Sequence, residues 1–268
     1  MKKLISLIFF GLIFLFACVK DDFQDLFESP SKFLVSIKKI SSESIRETTF
    51  KYDSLKRLSQ VEIAGSNLHY DKILFYYNFQ NRLEKTILGE FTTDYEYYNN
   101  GKLTAQIVHF KSLSDGYEWV QRTEYEYSRG RISKAIGFSG EGKELSHTSY
   151  KYDSRGNTIE TTTRSATGDS DGMIHSQVKY EYDDKVNPCL CSGLSLGNFG
   201  ISSSIKQGNN PTYSYSYSSV MSTFPPENQI NYEYDDEGLP VKGTIIDIGK
   251  RGYTDTITLE YEYLDVVN

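Results

Sequence analysis

The stretch Tyr150-Lys151-Tyr152-Asp153-Ser154-Arg155-Gly156-Asn157 contains the pattern that decides the fold: two aromatic residues separated by one residue, followed by a polar turn. Eight aromatic pairs of this kind occur along the chain, at Phe50/Tyr52, Phe75/Tyr77, Tyr95/Tyr97, Tyr125/Tyr127, Tyr150/Tyr152, Tyr180/Tyr182, Tyr232/Tyr234 and Tyr261/Tyr263. Most successive pairs are roughly 20 to 30 residues apart, a period that is typical of repeat architectures.

The residues within and after each pair indicate antiparallel hairpins. Side chains alternate between the two faces of a strand, so both aromatic residues of a pair share one face and the residue between them lies on the other. Asp153 and Gly156 occupy the positions that favour a type I turn followed by a left-handed residue. In the first copy Lys56 stands in the glycine position after Asp53, which departs from this rule. The pattern therefore predicts an aromatic ladder on one face of a sheet and charged residues on the other.

Residues 33–268 are predicted to form a single all-β domain, in which repeated antiparallel β-hairpins form a long curved meander sheet or an open barrel. Short runs of Val, Ile, Thr, Tyr and Phe are bounded by Gly, Asn, Asp and Ser, as expected for strands joined by turns. Residues 185–211 interrupt the repeat and are predicted to be a long loop insert that covers an edge or one end of the sheet. Tyr213, Tyr215 and Tyr217 follow this insert and are a candidate degenerate copy of the pair.

Residues 1–17 are predicted to be a lipoprotein signal peptide. Lys2 and Lys3 precede an apolar run that ends at Phe16, and this run is shorter than the about 20 residues of a transmembrane helix. The sequence Leu15-Phe16-Ala17-Cys18 resembles the bacterial lipobox, in which the cysteine becomes the N-terminus and carries lipid such as palmitate. Residues 18–32 are then the lipidated Cys and a flexible tether. An ordinary signal peptide with an incidental cysteine, or a signal anchor, is the alternative.

The residues after Cys18 bear on the location of the protein. Val19-Lys20-Asp21-Asp22-Phe23 resembles the export signal of Bacteroidota-type surface lipoproteins, whereas the alternative is a solvated acidic linker. The expected location is therefore the outer membrane, facing the cell surface, with the membrane as a partner through lipid on Cys18.

Charge and cysteine usage narrow the class of partner and ligand. The formal net charge is −7, and an acidic chain lacks the clustered Lys and Arg that bind a phosphate backbone, so no nucleic acid partner is expected. Cys189 and Cys191 are two residues apart, where alternating side chains point away from each other. Both a reduced pair and a disulfide remain open. Two thiolates without two further nearby ligands do not indicate a metal site.

A family resemblance follows from the turn motif. The pattern Tyr-Asp-x-x-Gly-[Arg/Asn/Lys]-[Leu/Thr], best matched by Tyr152 to Thr158 and by Tyr97 to Leu103, resembles the YD or Rhs-like repeat. Together with the lipobox, the chain resembles YD-repeat-like domains of unknown function in Bacteroidota surface lipoproteins. In large Rhs and teneurin-like proteins such repeats form a β-shell around a toxin or an empty cavity. The resemblance implies a hairpin architecture here but not encapsulation, because this chain is far too short.

The sequence predicts no catalytic residue, no cofactor and no metal site. The four histidines are scattered singly, without a His-Glu-x-x-His motif. Gly193-Leu194-Ser195-Leu196-Gly197 matches the nucleophile-elbow pattern but lacks its strand-to-helix context. Asp169-Ser170-Asp171-Gly172 begins like a calcium loop but lacks the later ligands. Evenly repeated acids such as Glu96 and Glu126 are more typical of a solvated face than of a catalytic carboxylate pair.

The candidate binding residues are aromatic: Trp119, Tyr117, Tyr213, Tyr215 and Tyr217. Such side chains can stack on sugar rings or dock a peptide, although a buried ladder is the favoured interpretation for most tyrosines. The expected function is a structural or binding role at the outer membrane or cell surface, with an envelope protein or a glycan as partner and no catalytic activity. The alternatives are a glycan-binding or carbohydrate-active surface protein and an immunity or inhibitor protein.

Overall fold

A computed structural model describes residues 32–65, 71–112, 116–168, 171–188, 208–218, 227–248 and 254–265. These residues form sixteen strands. They are β1 (Lys32–Ile40), β2 (Ile45–Tyr52), β3 (Leu58–Gly65), β4 (Asp71–Tyr77), β5 (Leu83–Leu88), β6 (Phe91–Tyr97), β7 (Leu103–Lys111), β8 (Glu118–Ser128), β9 (Arg131–Ser139), β10 (Glu144–Tyr152), β11 (Thr158–Ser165), β12 (Ile174–Val186), β13 (Asn209–Ser218), β14 (Glu227–Tyr234), β15 (Pro240–Ile248) and β16 (Thr254–Asp265).

The strands form a closed antiparallel meander. Each strand pairs with the next along the chain, and β16 pairs with β1 to close the barrel. The all-β meander is confirmed, but the sheet is closed where an open sheet or open barrel was predicted. Closure arises because β1 completes the eighth repeat: Tyr263 pairs with Leu34 in the same register in which Tyr52 pairs with Leu58.

Every repeat hairpin contains a register shift at the same place. In the first repeat Lys51 pairs with Gln60 and Tyr52 pairs with Leu58, so Ser59 is an extra, bulged residue. In each of the other hairpins, and at the β16–β1 closure, the same shift lies just before the second aromatic residue of the pair. A β-bulge bends its strand and increases the local twist, and eight of them distributed around the sheet help to curve it into a barrel.

The turns have the predicted geometry. The Asp153 amide donates to the Asn157 carbonyl, and Gly156, with φ 96°, closes the turn by donating to the Asp153 carbonyl. Lys56 adopts φ 61° in the equivalent position of the first repeat. The departure of the first repeat from the glycine rule therefore changes the residue but not the backbone conformation.

The aromatic pairs face the barrel interior. Tyr125 is 2% exposed and belongs to one core cluster with Phe50, Phe75, Tyr95 and other members of the pairs. The first residues of the strands that follow the turns, such as Leu103, complete this core. The predicted buried tyrosine ladder is thus confirmed, and most of the tyrosines are part of the scaffold.

The insert is shorter than predicted. β12 continues to Val186 and β13 begins at Asn209, so the segment between the strands covers residues 187–208. β13 is the second strand of the sixth repeat, because Tyr182 pairs with Pro211 as Tyr152 pairs with Thr158. The second strand of the sixth repeat therefore contains Tyr213, Tyr215 and Tyr217, which are not a degenerate aromatic pair. Cys189, Cys191 and Gly193–Gly197 lie outside the described residues, as does Cys18.

Candidate functional site

Tyrosine hydroxyls connect each repeat to its neighbour. The Tyr97 hydroxyl donates to the Leu83 carbonyl at 2.7 Å, and the Tyr127 hydroxyl donates to the Leu103 carbonyl at 2.8 Å. Equivalent bonds run from Tyr52, Tyr77, Tyr152, Tyr182 and Tyr263 to the carbonyls of Leu34, Leu58, Ile132, Thr158 and Pro240. Burial raises the pKa of Tyr127 to about 12, because ionisation would place a charge in the core.

These bonds occur where neighbouring hairpins stop pairing. The pairing of β5 with β6 ends at Lys85 and Asp94, so the Leu83 carbonyl lies beyond the last ladder pair. The Tyr97 side chain bridges this gap, and the Arg82 guanidinium lies 5.8 Å from the centre of its ring. A tyrosine with a cation over its face thus replaces backbone pairing between repeats, which is a structural role.

The seventh repeat departs from this arrangement and forms a polar network. Its first aromatic residue, Tyr232, donates to the Pro211 carbonyl at 3.1 Å, whereas the Tyr234 hydroxyl donates to the Asp183 carboxylate. Burial raises the pKa of Tyr234, and its bond to Asp183 raises the pKa further. The Asn210 amide donates to the same carboxylate at 3.0 Å. The network fixes both ends of the 187–208 segment to the barrel.

The outer wall of the barrel is charged on strands around its circumference. Ion pairs link neighbouring strands at Lys38–Glu260, Lys51–Glu62, Lys85–Asp94, Lys151–Glu160 and Lys242–Glu233. Arg122 on β8 reaches across β7 to Glu96 on β6. A barrel that spans a membrane has the reverse distribution, with an apolar band outside and polar residues inside. This wall therefore has the composition of a surface in contact with water. Among the described residues no helix is long and apolar enough to cross a membrane.

The two ends of the barrel differ. One end, called here the tether end, contains the start of β1 and the end of β16. The same end contains the hairpin turns 53–57, 78–82, 98–102, 129–130, 153–157 and 235–239. At the opposite end, called the far end, lie the turns 41–44, 89–90 and 140–143 and the connection between β7 and β8. The N-terminal segment that contains Cys18 therefore joins the barrel at the tether end.

An aromatic cluster lies at the far end. The rings of Phe110 and Trp119 are stacked with centroids 5.9 Å apart, and Phe91 lies 4.8 Å from Phe110. Trp119 shares the inward face of β8 with Tyr125, since they are six residues apart on an alternating strand. Tyr117 lies 6.4 Å from Phe110 and is 60% exposed. The far-end cluster, defined as Phe91, Phe110, Tyr117 and Trp119, thus extends from the inner wall to the solvent.

Polar side chains continue the inner wall beside this cluster. Gln121 is the next inward residue after Trp119 on β8, and it pairs with Ser139 on β9. A β-carbon built on Gly137 would meet the Ser146 hydroxyl at 3.0 Å and the Gln121 amide at 3.8 Å, which places these polar groups around one point. Aromatic faces with a few convergent polar groups are the usual composition of a small-molecule site.

The other predicted binding residues are remote from this cluster. Tyr213, Tyr215 and Tyr217 alternate with Ser214, which is buried opposite Tyr180, so they lie on the outer wall of β13. Tyr217 is 42% exposed. The structure thus brings Trp119 and Tyr117 together but separates them from the three tyrosines. Phe91 and Phe110, which the sequence did not single out, join Trp119 because β6, β7 and β8 pair in register.

Several acidic residues of the outer wall form pairs with cations. Glu96 and Glu124 both accept hydrogen bonds from Arg122, at 2.8 and 2.7 Å. The Glu160 carboxylate accepts from Lys151, which lowers the pKa of Glu160. Within the described ranges, no group of three His, Cys, Asp or Glu side chains is placed to hold a metal ion.

The geometry defines a class of protein: a closed, sixteen-stranded antiparallel meander barrel with a charged outer wall and an aromatic interior. The chain is similar in fold to a porin-like protein from Bacteroides uniformis, with a TM-score of 0.58, 12% identity, and coverage of 88% of this chain and 99% of that chain. A porin-like protein from Bacteroides vulgatus is also similar, with a TM-score of 0.55, 12% identity and coverage of 87% and 99%. At this identity the likeness shows the fold alone.

A chain of the structure of TcdB2-TccC3-TEV aligns with 80% of this chain and 12% of its own length, at 14% identity. Its TM-score of 0.30 is too low to indicate a shared overall fold. No protein-family model matches the chain, and no curated protein does. The resemblance to YD repeats therefore remains a prediction.

Proposed function

We propose that this protein is a lipid-anchored barrel of the outer membrane that binds a glycan through the far-end cluster and performs no catalysis. The observation that carries the proposal is the exposed Tyr117 next to the stacked pair of Phe110 and Trp119, at the end of the barrel opposite the tether. A ligand at this end is not obstructed by the membrane to which the opposite end is attached.

The chemistry of the cluster favours a sugar. A pyranose ring has an apolar face that packs on an aromatic ring and hydroxyl groups at its edge that need hydrogen-bond partners. Phe110 and Trp119 supply the aromatic surface, and Tyr117 supplies a ring with a polar tip. Gln121 and Ser139 on the adjacent inner wall supply amide and hydroxyl groups that can fix the orientation of a bound ring.

The anchor follows from Cys18 in its lipobox-like context. Two or more acyl chains on Cys18 give stable attachment to the membrane, whereas one chain is marginal. The charged outer wall supports this arrangement, because a barrel with ion pairs around its circumference needs a separate device to stay at a membrane. We expect Cys18→Ala to abolish incorporation of labelled palmitate and to release the protein from membranes. Retention of the unlabelled variant would contradict the anchor.

Orientation can be tested on intact cells. If the barrel faces the cell surface, added protease removes it while a periplasmic control protein stays intact. Full protection of the barrel in cells that are demonstrably sealed would instead place it on the periplasmic side.

Glycan binding can be measured at the site itself, because Trp119 is the single tryptophan of the chain. Soluble cello-, malto- and chito-oligosaccharides are added, and we expect at least one to change the tryptophan fluorescence in a saturable manner. By calorimetry, Trp119→Ala should weaken binding of that sugar more than tenfold, as expected for a central aromatic contact.

Tyr217→Ala is the matched control, since Tyr217 is an exposed aromatic residue on the outer wall. It should leave the affinity unchanged. If Tyr217→Ala weakens binding and Trp119→Ala does not, the outer wall of β13 is the binding surface and the far-end proposal is wrong. Binding by neither the wild type nor the control at millimolar sugar would remove these glycans as ligands.

A further inference from the structure

The tether end carries a second surface that the glycan site does not use. Three consecutive repeat turns place an apolar side chain at their tips: Leu55, Phe79 and Tyr98. Phe79 is 93% exposed and Leu55 is 62% exposed, whereas the equivalent strand residues Phe50, Leu58, Phe75 and Leu83 are buried in the core. The first two turns are in contact, because the Arg57 guanidinium donates to the Asn81 side-chain oxygen of the next turn at 2.8 Å.

Cations lie on the same turns and on the next turn along the sheet. Lys56 and Arg129 are exposed on turns 53–57 and 129–130, and Lys102 follows Tyr98 on turn 98–102 with its amine 5.4 Å from the Tyr127 ring. The carboxylate of Asp53 in the same region is engaged by Arg57 at 2.6 Å. This half of the tether end, defined here as the rim by Leu55, Lys56, Phe79, Tyr98, Lys102 and Arg129, therefore combines apolar tips with positive charge.

The other half of the same end is acidic. The turns and strand ends of the fifth to seventh repeats carry Asp153, Asp184, Asp235 and Glu237. Their neighbouring cations are paired with these acids: Lys32 lies 2.9 Å from Glu237 and 3.2 Å from Asp235. Among the described residues of the tether end, positive charge is thus concentrated on one side, together with the apolar turn tips Leu55, Phe79 and Tyr98.

We propose that the rim is a membrane-contact surface, which lies on the anionic phospholipid headgroups of the bilayer that the lipid on Cys18 enters. This inference rests on the proposed anchor. Residues 18–31 join the barrel at this end, and fourteen residues span at most about 50 Å, so the rim is within reach of the bilayer. Apolar tips that enter the headgroup region, together with Lys and Arg near the anionic surface, are the two contributions that hold interfacial proteins on membranes.

The contact gives the barrel a defined orientation. With the rim against the bilayer and the acidic half tilted away from it, the far-end cluster points to the solvent. Lipid alone does not provide this, because attachment at a single residue fourteen positions before β1 does not set the angle of the barrel to the bilayer.

The test uses the mature chain, residues 18–268, with Cys18→Ser so that no lipid is attached. Its binding is measured by sedimentation with vesicles of phosphatidylcholine alone and of phosphatidylcholine with phosphatidylglycerol. We expect binding to the anionic vesicles that weakens with salt, and much weaker binding to the neutral ones. Equal binding to both vesicles, or none to the anionic vesicles, would overturn the inference.

Two sets of variants locate the contact. Leu55→Ser, Phe79→Ser and Tyr98→Ser together should abolish vesicle binding, whereas the control set Val120→Ser, Leu145→Ser and Met173→Ser, exposed apolar residues outside the rim, should not. Because all six side chains are at least 36% exposed, both sets should fold, which circular dichroism verifies. Equal losses in the two sets would show that the contact is not specific to the rim.

The charge contribution is tested with Lys56→Asn and Arg129→Asn. Both residues have positive φ, 61° and 51°, which asparagine tolerates better than most residues. Each change should weaken binding to anionic vesicles about fivefold, since a basic residue near such a surface contributes about 1 kcal/mol. Unchanged affinity would contradict the role of these cations.

The outcomes separate this inference from the anchor. If Cys18 takes up no palmitate but the unlipidated chain binds anionic vesicles through the rim, the anchor is wrong and the contact surface stands. If Cys18 is lipidated but the unlipidated chain does not bind, the anchor stands and the contact surface is wrong.

Discussion

The tyrosine hydroxyl bonds between repeats can be tested one at a time. Tyr97→Phe removes the hydroxyl that donates to the Leu83 carbonyl at 2.7 Å but keeps the ring and the Arg82 guanidinium over it, so no cavity forms. The net contribution of such a bond is about 1 kcal/mol, and a carbonyl left dry without its donor costs about 1–3 kcal/mol. We therefore expect the free energy of unfolding to fall by about 1–3 kcal/mol.

The adjacent residue provides the control. Tyr98→Phe makes the same chemical change at a side chain that is 47% exposed, and it should alter stability by less than about 0.5 kcal/mol. Tyr127→Phe and Tyr182→Phe remove equivalent bonds in other repeats. The losses of Tyr97→Phe and Tyr182→Phe should add, because these two residues lie in distant repeats and share no partner.

The assay is equilibrium unfolding in urea, followed by far-ultraviolet circular dichroism. The midpoint should fall while the slope with denaturant stays constant, which indicates an unchanged barrel. The combined loss of the Tyr97→Phe and Tyr182→Phe double variant, about 2–6 kcal/mol, would be a large part of the 5–15 kcal/mol typical of a domain. If Tyr97→Phe and Tyr98→Phe have equal effects, the hydroxyl bonds do not stabilise the contact between repeats.

Further predictions concern pH and the turns. Because the folded pKa of Tyr127 is about 12, above the ordinary value of 10.0, its contribution to stability is complete below pH 10 and is lost as the pH rises toward 12. The part of the tyrosinate absorbance that Tyr127→Phe removes should rise together with alkaline unfolding, and a rise of that part well before unfolding would contradict this. Asp153→Ala should lower the free energy of unfolding in urea by about 1 kcal/mol, by analogy with the loss of a helix cap. Asp153→Asn should lower it less, because Asn78 makes the same backbone contacts in the second repeat. Gly156→Ala should lower the melting temperature because its φ is 96°, and Lys56→Gly should not, since glycine relieves the left-handed strain at φ 61°.

The hairpins and their faces could be predicted from the sequence because their signals are local. An aromatic pair, an Asp and a Gly within a few residues determine the strand, its inward face and its turn. The position within the turn also explains Lys56, which adopts the left-handed conformation although it is not glycine. The turn register constrains that residue more strongly than its own preference does.

Closure could not be predicted in this way. The strand that completes the eighth repeat is β1, which begins at Lys32 and carries no aromatic pair of its own. Its pairing with β16 joins opposite ends of the chain, and no local pattern encodes such a contact. The length of the insert was overestimated for a related reason, because Asn209 and Asn210 read as loop residues although they begin β13.

The candidate site was predicted only in part. Trp119 and Tyr117 were identified by residue type, and they do lie together at the far end. Phe91 and Phe110 could not be selected, because aromatic residues are common in every repeat. Their contact with Trp119 depends on the register between β6, β7 and β8, which requires the whole sheet.

The pairing of β1 with β16 has a consequence for how the protein reaches its folded state. All other pairings join consecutive strands, most of them across short turns, so they can form as the chain emerges. The pairing of β1 with β16 requires both the first and the last strand. Until it forms, the open edge of β1 presents a row of unpaired N–H and C=O groups. Before closure this exposed edge is where neighbouring copies can join each other, so β1 is the strand that is open to aggregation for longest.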